Sequence, residues 1–354
     1  MSPLRRTEIA PGYSISRVIK GGWQLAGGHG PVERVQALRD MRLFVEAGIT
    51  TFDCADIYTG VEELIGAFLA DYGPGRSGRP EIQIHTKYVP DLGALASLRK
   101  ADVERTIDRS LRRLGVEWID LVQFHWWDYG VPGWIDAASW LDELRQAGKI
   151  RHLGLTNFDQ PHLAQILAAG VRVVSHQIQY SVVDRRPEIG MVDLCQEHGI
   201  LLLCYGSALG GLVSERYLEG PEPRPPHENR SLTKYLLIVQ EFGGFTLFQE
   251  LLATLVRVGQ RHGVDPATVA MRWVLDRPGV AAVIVGARNA SHVEANRAVL
   301  QLQLEAEDRA GIETVVSRAQ GPRGDTYALE RDREGRHGAI MRYDLNASAA
   351  FRTT

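Results

Sequence analysis

Residues 101–125 read ADVERTIDRSLRRLGVEWIDLVQFH, and they hold one unit of the fold in miniature. A segment of helical period over 101–114 stops at Leu114-Gly115, and the short apolar run Leu121–His125 follows as a strand. Glycine suits that place because many helices end on a left-handed residue. The same punctuation recurs at Ala47-Gly48, Ala147-Gly148, Ala169-Gly170 and His198-Gly199. Working outward, eight runs are expected as strands: Arg17–Gly21, Thr51–Cys54, Ile82–Thr86, Leu121–His125, Arg151–Leu155, Val174–Ile178, Leu201–Tyr205 and Val283–Gly286. Helical stretches follow them at 33–47, 61–70, 101–114, 136–147, 160–169, 187–198, 266–276 and 291–299. Such alternation is the pattern of a parallel sheet built from βα units. Eight units close naturally into a barrel, whereas a doubly wound sheet usually opens with a glycine-rich phosphate loop. Gly28-His29-Gly30 is followed by no third glycine and precedes no βαβ fingerprint. The expected fold is therefore α/β, a (β/α)8 TIM barrel occupying 1–354 as one domain.

Two stretches interrupt the alternation. After the seventh strand, a long loop from about 212 to 246 contains PEPRPPHENRSLTK, and from about 320 the chain ends in a polar, arginine-rich tail. Loops that follow barrel strands lie on the active-site face, so the insertion is a candidate lid. A disordered surface loop fits its composition equally, although Arg230-Ser231-Leu232 favours order. The tail carries Ile340, Met341, Tyr343 and Leu345, which gives it apolar content to pack.

With 44% apolar and 23% charged residues, the composition is that of a globular protein with a sizeable core. A net charge of −3 and a pI near 6.4 exclude the basic excess that nucleic-acid binding needs. The opening MSPLRRTEIAPG has no apolar h-region, and no run of about 18 apolar residues occurs, so a cytoplasmic location without a membrane partner is expected. Cys54, Cys195 and Cys204 are odd in number and lack CxxC spacing; they read as reduced core thiols. The Asn-x-Ser triplets at Asn229, Asn289 and Asn346 read as chance matches.

Four titratable residues fall at or just beyond consecutive strand ends: Asp53 after Phe52, Tyr58 in the loop that follows, Lys87 in IHTKY and His125 in LVQFHWW. Free tyrosine and lysine titrate near about 10 and 10.4, so neither is a useful acid at neutral pH. An ammonium beside the phenol favours phenolate, and a carboxylate beside the lysine keeps it charged. Tyr58 is then a proton donor to a carbonyl oxygen, tuned by Lys87, which Asp53 holds. His125, if neutral, would orient the carbonyl through its NH. Each residue alone has a structural explanation; their joint position points to hydride transfer to C=O, where a proton must reach oxygen. With no HxH on the first strand and no second carboxylate cluster, no metal is expected.

In FDCADIYTGVEELIGAFL, IHTKY, DLVQFHWWD, GKIRHLGLTNF, HQIQYSVVDRRPE and VIVGARNASHVEAN, taken in order over roughly 16–318, the chain resembles the aldo-keto reductases. The resemblance implies that Asp53, Tyr58, Lys87 and His125 form the family's catalytic tetrad and that the hydride donor is NADPH, with NADH ranking below it. It further implies that Thr156, Asn157 and Gln177 hold the carboxamide and Tyr205 stacks on the nicotinamide. Trp23 and Gln24 resemble first-strand contacts. Gly206, Ser207, Ala208 and Leu209 resemble the pyrophosphate loop, and Arg216 and Arg230 resemble basic contacts from the insertion. Gly286, Arg288, His292 and Asn296 resemble the adenosine-phosphate end, where a helix N-terminus near 290 would favour a 2′-phosphate. Two positions depart from the family pattern: Ser207 stands where many relatives have proline, and Ala295 replaces a glutamate often found before Asn296. NADPH preference rests mainly on Arg288. An aromatic pocket of Trp23, Trp126, Trp127 and Tyr129 would favour an apolar or aromatic aldehyde or ketone. The competing reading is a cofactor-binding regulatory or subunit protein, and the oligomeric state is left open.

Overall fold

The computed structural model describes residues 6–27, 29–73 and 81–346. Residues 1–5 of the opening stretch, Gly28 and the last residues of the tail lie outside the described residues. A hairpin comes first, β1 (Arg6–Ala10) and β2 (Tyr13–Ser16), turning at Pro11-Gly12. Then β3 (Val18–Gly21), α1 (Arg34–Glu46), β4 (Thr51–Asp53), α2 (Val61–Tyr72), β5 (Gln83–Tyr88), α3 (Lys100–Leu114), β6 (Ile119–Phe124) and α4 (Trp134–Gln146) alternate. They are followed by β7 (Ile150–Thr156), α5 (Gln160–Ala168), β8 (Ser175–Gln179), α6 (Met191–Glu197) and β9 (Leu201–Tyr205). The insertion carries α7 (Arg230–Phe242) and α8 (Gly244–His262) before α9 (Pro266–Leu275), β10 (Val280–Gly286) and α10 (Val293–Gln301). Finally α11 (Ala306–Val316) leads to the single turn α12 (Ala328–Arg331).

The eight strands β3 to β10 form a closed parallel barrel in which β10 pairs with both β9 and β3. Every expected strand is present within a few residues of its expected bounds. The helix α3 shows why the punctuation works: Asp102 in its first turn and Arg112 and Arg113 in its last complement the helix dipole. Its Gly115 has φ 66°, a left-handed conformation that glycine adopts without a Cβ clash. The other four helix-ending glycines, 48, 148, 170 and 199, also have positive φ.

Three features differ from the expectation. The hairpin β1–β2 precedes the first barrel strand and closes the N-terminal end of the barrel, where Ile9, Tyr13 and Ile15 pack on Ile19, Leu121 and Leu203. The insertion is helical: the Asn229 side chain caps α7 by accepting from the Leu232 NH, and Gly243 and Gly244, both at positive φ, turn the chain by 98° into α8. Its order runs sixteen residues past the expected end at 246, to His262. The tail is packed rather than solvated. It crosses the C-terminal mouth of the barrel, where Leu92 NH donates to Tyr343 O at 3.0 Å and the Arg230 guanidinium to Ile340 O at 2.5 Å.

Cys54, Cys195 and Cys204 are buried and unpaired, as read from their spacing. Among the described residues, no single helix is long and apolar enough to cross a membrane.

Candidate active site

Side chains alternate across a strand, so residues two apart share a face. Strand register pairs Lys87 on β5 with Gln123 on β6, and His125 lies two residues beyond Gln123, on the same inward face. In a closed barrel, inward residues of alternate strands fall in one layer. Asp53 of β4, Gln123 of β6 and Gln177 of β8 do so, and they are hydrogen-bonded: both amide nitrogens donate to Asp53 Oδ1, Gln123 at 2.9 Å and Gln177 at 2.7 Å. Gln177 also donates to Gln123 Oε1 at 2.7 Å.

Lys87 crosses from the next layer. Its Nζ lies 2.5 Å from Asp53 Oδ2, donates to Cys54 O at 2.9 Å and hydrogen-bonds the Tyr58 phenol, whose ring centroid is 5.0 Å away. The three ammonium hydrogens therefore have three acceptors. Burial by itself would lower Lys87, but the adjacent Asp53 carboxylate, with help from Tyr58, outweighs it and holds the ammonium above its ordinary pKa. Burial is the largest influence on Tyr58 as well. It raises the phenol, and the opposing pull of Lys87 reduces that rise without reversing it. The expected lowering of Tyr58 is thus corrected: the phenol is a weaker acid than free tyrosine here and stays protonated at neutral pH.

His125 stands directly after β6 and is 2% exposed. Its Nδ1 is 3.2 Å from Thr156 O, and since a carbonyl can only accept, the proton sits on Nδ1. Nε2 is buried without a partner. Burial, and after it the charge of Arg331, lowers the imidazole pKa to about 3, so the ring is neutral. The histidine NH expected to orient a carbonyl is therefore committed to Thr156. What remains for the site is the Nε2 lone pair, an acceptor.

The expected cofactor residues are spread over the loops that follow β3, β7, β9 and β10, the insertion and α10. Trp23 and Gln24 form a short 3-10 turn after β3, with Trp23 5.1 Å from the Tyr58 ring and the Gln24 side-chain amide packed against Gly286. Thr156 ends β7, and Asn157 adopts φ 61°, its Oδ1 accepting from the Tyr205 hydroxyl at 2.8 Å. Gln177 sits deeper, in the Asp53 layer. After Tyr205 at the end of β9, Gly206, Ser207, Ala208 and Leu209 run against α7, where Tyr235 abuts Gly206 and Leu209 has φ 52°. Arg216 lies 3.6 Å from Glu228 in the insertion, and Arg230 holds the tail at Ile340. Arg288 donates to His29 O at 2.8 Å, and His29 Nε2 is 3.1 Å from Ser231 Oγ, so the loop after β3, α7 and the loop after β10 are clasped together. His292 immediately precedes α10. Asn296 is buried on α10 with its Nδ2 unpartnered, an orphaned donor that fits an adenine acceptor.

Of the aromatic residues expected to line a pocket, Trp23 and Trp127 border the site; Trp127 meets His125 edge-on at 4.3 Å. Trp126 does not. It is fully buried, its indole NH donates to Asp128 O and Val131 O, and its ring meets Phe124 beneath the loop. Tyr129 stacks on His162 at 3.4 Å and supports the tail.

Several residues at the mouth escaped the sequence reading. Gln123 joins the Asp53 layer. Tyr327 of the tail lies edge-on to His125 at 5.6 Å. Lys234 of α7 sits over the Tyr205 ring at 5.1 Å and 3.8 Å from Glu330. Glu330 and Asp184 both pair with the buried Arg186, at 3.1 and 2.7 Å. Gln123, Asp184 and Arg186 lie inside the stretches that carry the family resemblance, DLVQFHWWD and HQIQYSVVDRRPE, and for Tyr327 and Glu330 the signal was the apolar content of the tail.

The Aldo/keto reductase family pattern matches residues 17–317. Aldo-keto reductase YhdN of Bacillus subtilis is 29% identical over 346 residues, covering 93% of this chain and 98% of that protein. Flagellar radial spoke protein 5 of Chlamydomonas reinhardtii is 31% identical over 260 residues, and the match covers 63% of this chain but only 49% of that protein. The structure of a glycerol dehydrogenase from Gluconobacter oxydans superposes with a TM-score of 0.76 at 25% identity, covering 92% of this chain and 98% of that one.

Proposed function

Because the chain belongs to the aldo/keto reductase family, we propose that it reduces an aldehyde or ketone to an alcohol with NADPH, using Tyr58 as the proton donor. One observation carries the reading: a phenol, an ammonium and a carboxylate chained through Lys87 at the barrel mouth, with the neutral His125 one strand away. NADPH supplies the hydride when bound, and Arg288, the N-terminal end of α10 and Asn296 are suited to its adenosine-phosphate end.

The rest follows from the chain's own groups. Lys87 donates to the phenol oxygen, which leaves the phenolic hydrogen free for a carbonyl oxygen. As negative charge develops on that oxygen, the phenol delivers its proton, and the fixed ammonium stabilises the phenolate left behind. Asp53, held by Gln123 and Gln177, keeps the ammonium in place through the transfer. The hydroxyl of the new alcohol then has an acceptor in His125 Nε2. Trp23 and Trp127 favour an apolar or aromatic carbonyl compound.

The test is to follow the reduced-nicotinamide absorbance band with a panel of activated aromatic aldehydes. Tyr58→Phe is expected to bind NADPH as the wild type does while turnover falls by about 10²–10⁴-fold. Unchanged turnover in Tyr58→Phe sinks the proton donor; NADPH binding without turnover across the panel favours the regulatory reading.

A further inference from the structure

The tail contributes a guanidinium that the four-residue chemistry does not use. Arg331, at the end of α12, donates to Trp126 O, to Trp127 O at 2.8 Å, to Asn157 O at 2.7 Å and to the Tyr129 hydroxyl at 2.8 Å. Its Cζ also lies 4.0 Å over the Tyr129 ring. All four acceptors are neutral. Two of them, Trp126 and Trp127, directly follow His125, while Asn157 directly follows Thr156, whose carbonyl takes the His125 Nδ1 proton.

We propose that Arg331 is a positioning residue for His125: it staples the end of β6 to the end of β7 and so holds the imidazole against Thr156, with its proton on Nδ1 and its Nε2 free for the site. The inference rests on the reductase reading only for the meaning of Nε2. The planar fork of a guanidinium can serve several carbonyls at once, which an ammonium cannot do with the same geometry. The neighbour Glu330 anchors α12, since it is fully buried between Arg186 and Lys234. The groups facing His125 are Trp127 of its own strand end, Thr156 of β7, and Tyr327 and Arg331 of the tail. Burial keeps the Tyr327 phenol neutral, and Lys87 on the neighbouring strand is balanced by Asp53. After burial, Arg331 is the charge that acts on the ring, and it acts against imidazolium.

Two variants separate its two effects. Arg331→Met removes both fork and charge; Arg331→Lys keeps the charge and loses the fork. His125 is followed by imidazole nitrogen NMR, assigned by the signal that His125→Gln removes, and kcat is measured on the same carbonyl substrate. In Arg331→Met the His125 pKa is expected to rise by about 1 and kcat to fall by about 10²-fold, with NADPH affinity unchanged. In Arg331→Lys the His125 pKa is expected to stay low while kcat still falls. A His125 titration and kcat equal to wild type in either variant overturn the proposal, and if Arg331→Met does not fold, Arg331→Lys decides alone. Should the wild type reduce no carbonyl, the reductase reading fails, but the His125 titration still decides what Arg331 does.

Discussion

The mouth of the barrel contains two clusters of buried charge that are built in opposite ways. In the first, Lys87 and Asp53 are 34 residues apart on neighbouring strands, and their register leaves them little choice but to meet. In the second, Glu330 reaches Arg186 across 144 residues and ties a terminal segment to the loop after β8. Both pairs are almost inaccessible to water. A buried pair contributes little by forming but costs much when one partner is removed. The first cluster is therefore part of the scaffold and the second is a fastening, so damage to each should spread differently.

The largest effect is expected at the scaffold pair. Lys87→Met leaves the Asp53 carboxylate buried without its cation and should cost about 3–5 kcal/mol, read by denaturant unfolding. The same variant should lose about 10²–10⁴-fold in turnover because Tyr58 loses its hydrogen-bond donor. If Lys87→Met proves as stable as wild type, the difference between the two clusters collapses.

A smaller and more local effect is expected at the fastening. Glu330→Gln leaves Arg186 with Asp184 and should cost about 1–3 kcal/mol. Hydrogen exchange should rise in residues 320–346 while the strands of the barrel stay protected. Exchange rising equally in β4 and β5 would show that the tail is as integral as the barrel.

The smallest effect sharpens the comparison through pH. Burial alone would raise the Glu330 carboxyl, but Arg186 and Lys234 overcome it and lower its pKa from the ordinary 4.5 to about 2. A carboxyl lowered on folding stabilises the protein above its unfolded pKa, and that stability is lost as pH falls toward the folded value. The Tm difference between wild type and Glu330→Gln should therefore be full above pH 4.5 and shrink steadily toward pH 2. A difference that persists at pH 2 would mean that packing of α12, rather than its charge, fastens the tail.

Much of this molecule was legible in advance, and for identifiable reasons. The strand β6 and the helix before it announce themselves because hydrophobic period and a helix-ending glycine are local signals, repeated in unit after unit. Asp53, Tyr58, Lys87 and His125 were legible because each sits at a fixed offset from such a strand. The hairpin β1–β2 carries only Pro11-Gly12 as a local turn signal, and its two strands belong to no βα unit, so the repeat that reveals the barrel strands does not reveal it. The helix α8 is not legible as a separate element because Gly243-Gly244, which turn the chain into it, close a proline-rich insertion whose composition reads as loop.

Sequence by itself settled the order of elements, the closure of eight units into a barrel and the four side chains gathered at one end, because those depend on interactions within a unit or between adjacent strands. Tertiary structure alone decided the protonation of the site. Burial raised Tyr58 against the pull of Lys87, the Thr156 carbonyl turned the His125 lone pair toward the mouth, and Trp126 was drawn beneath the loop instead of into the pocket. It also brought Arg331 from the tail to the strand ends that carry His125 and Thr156. Desolvation and through-space charge depend on everything packed around a group, and no spacing along the chain records them.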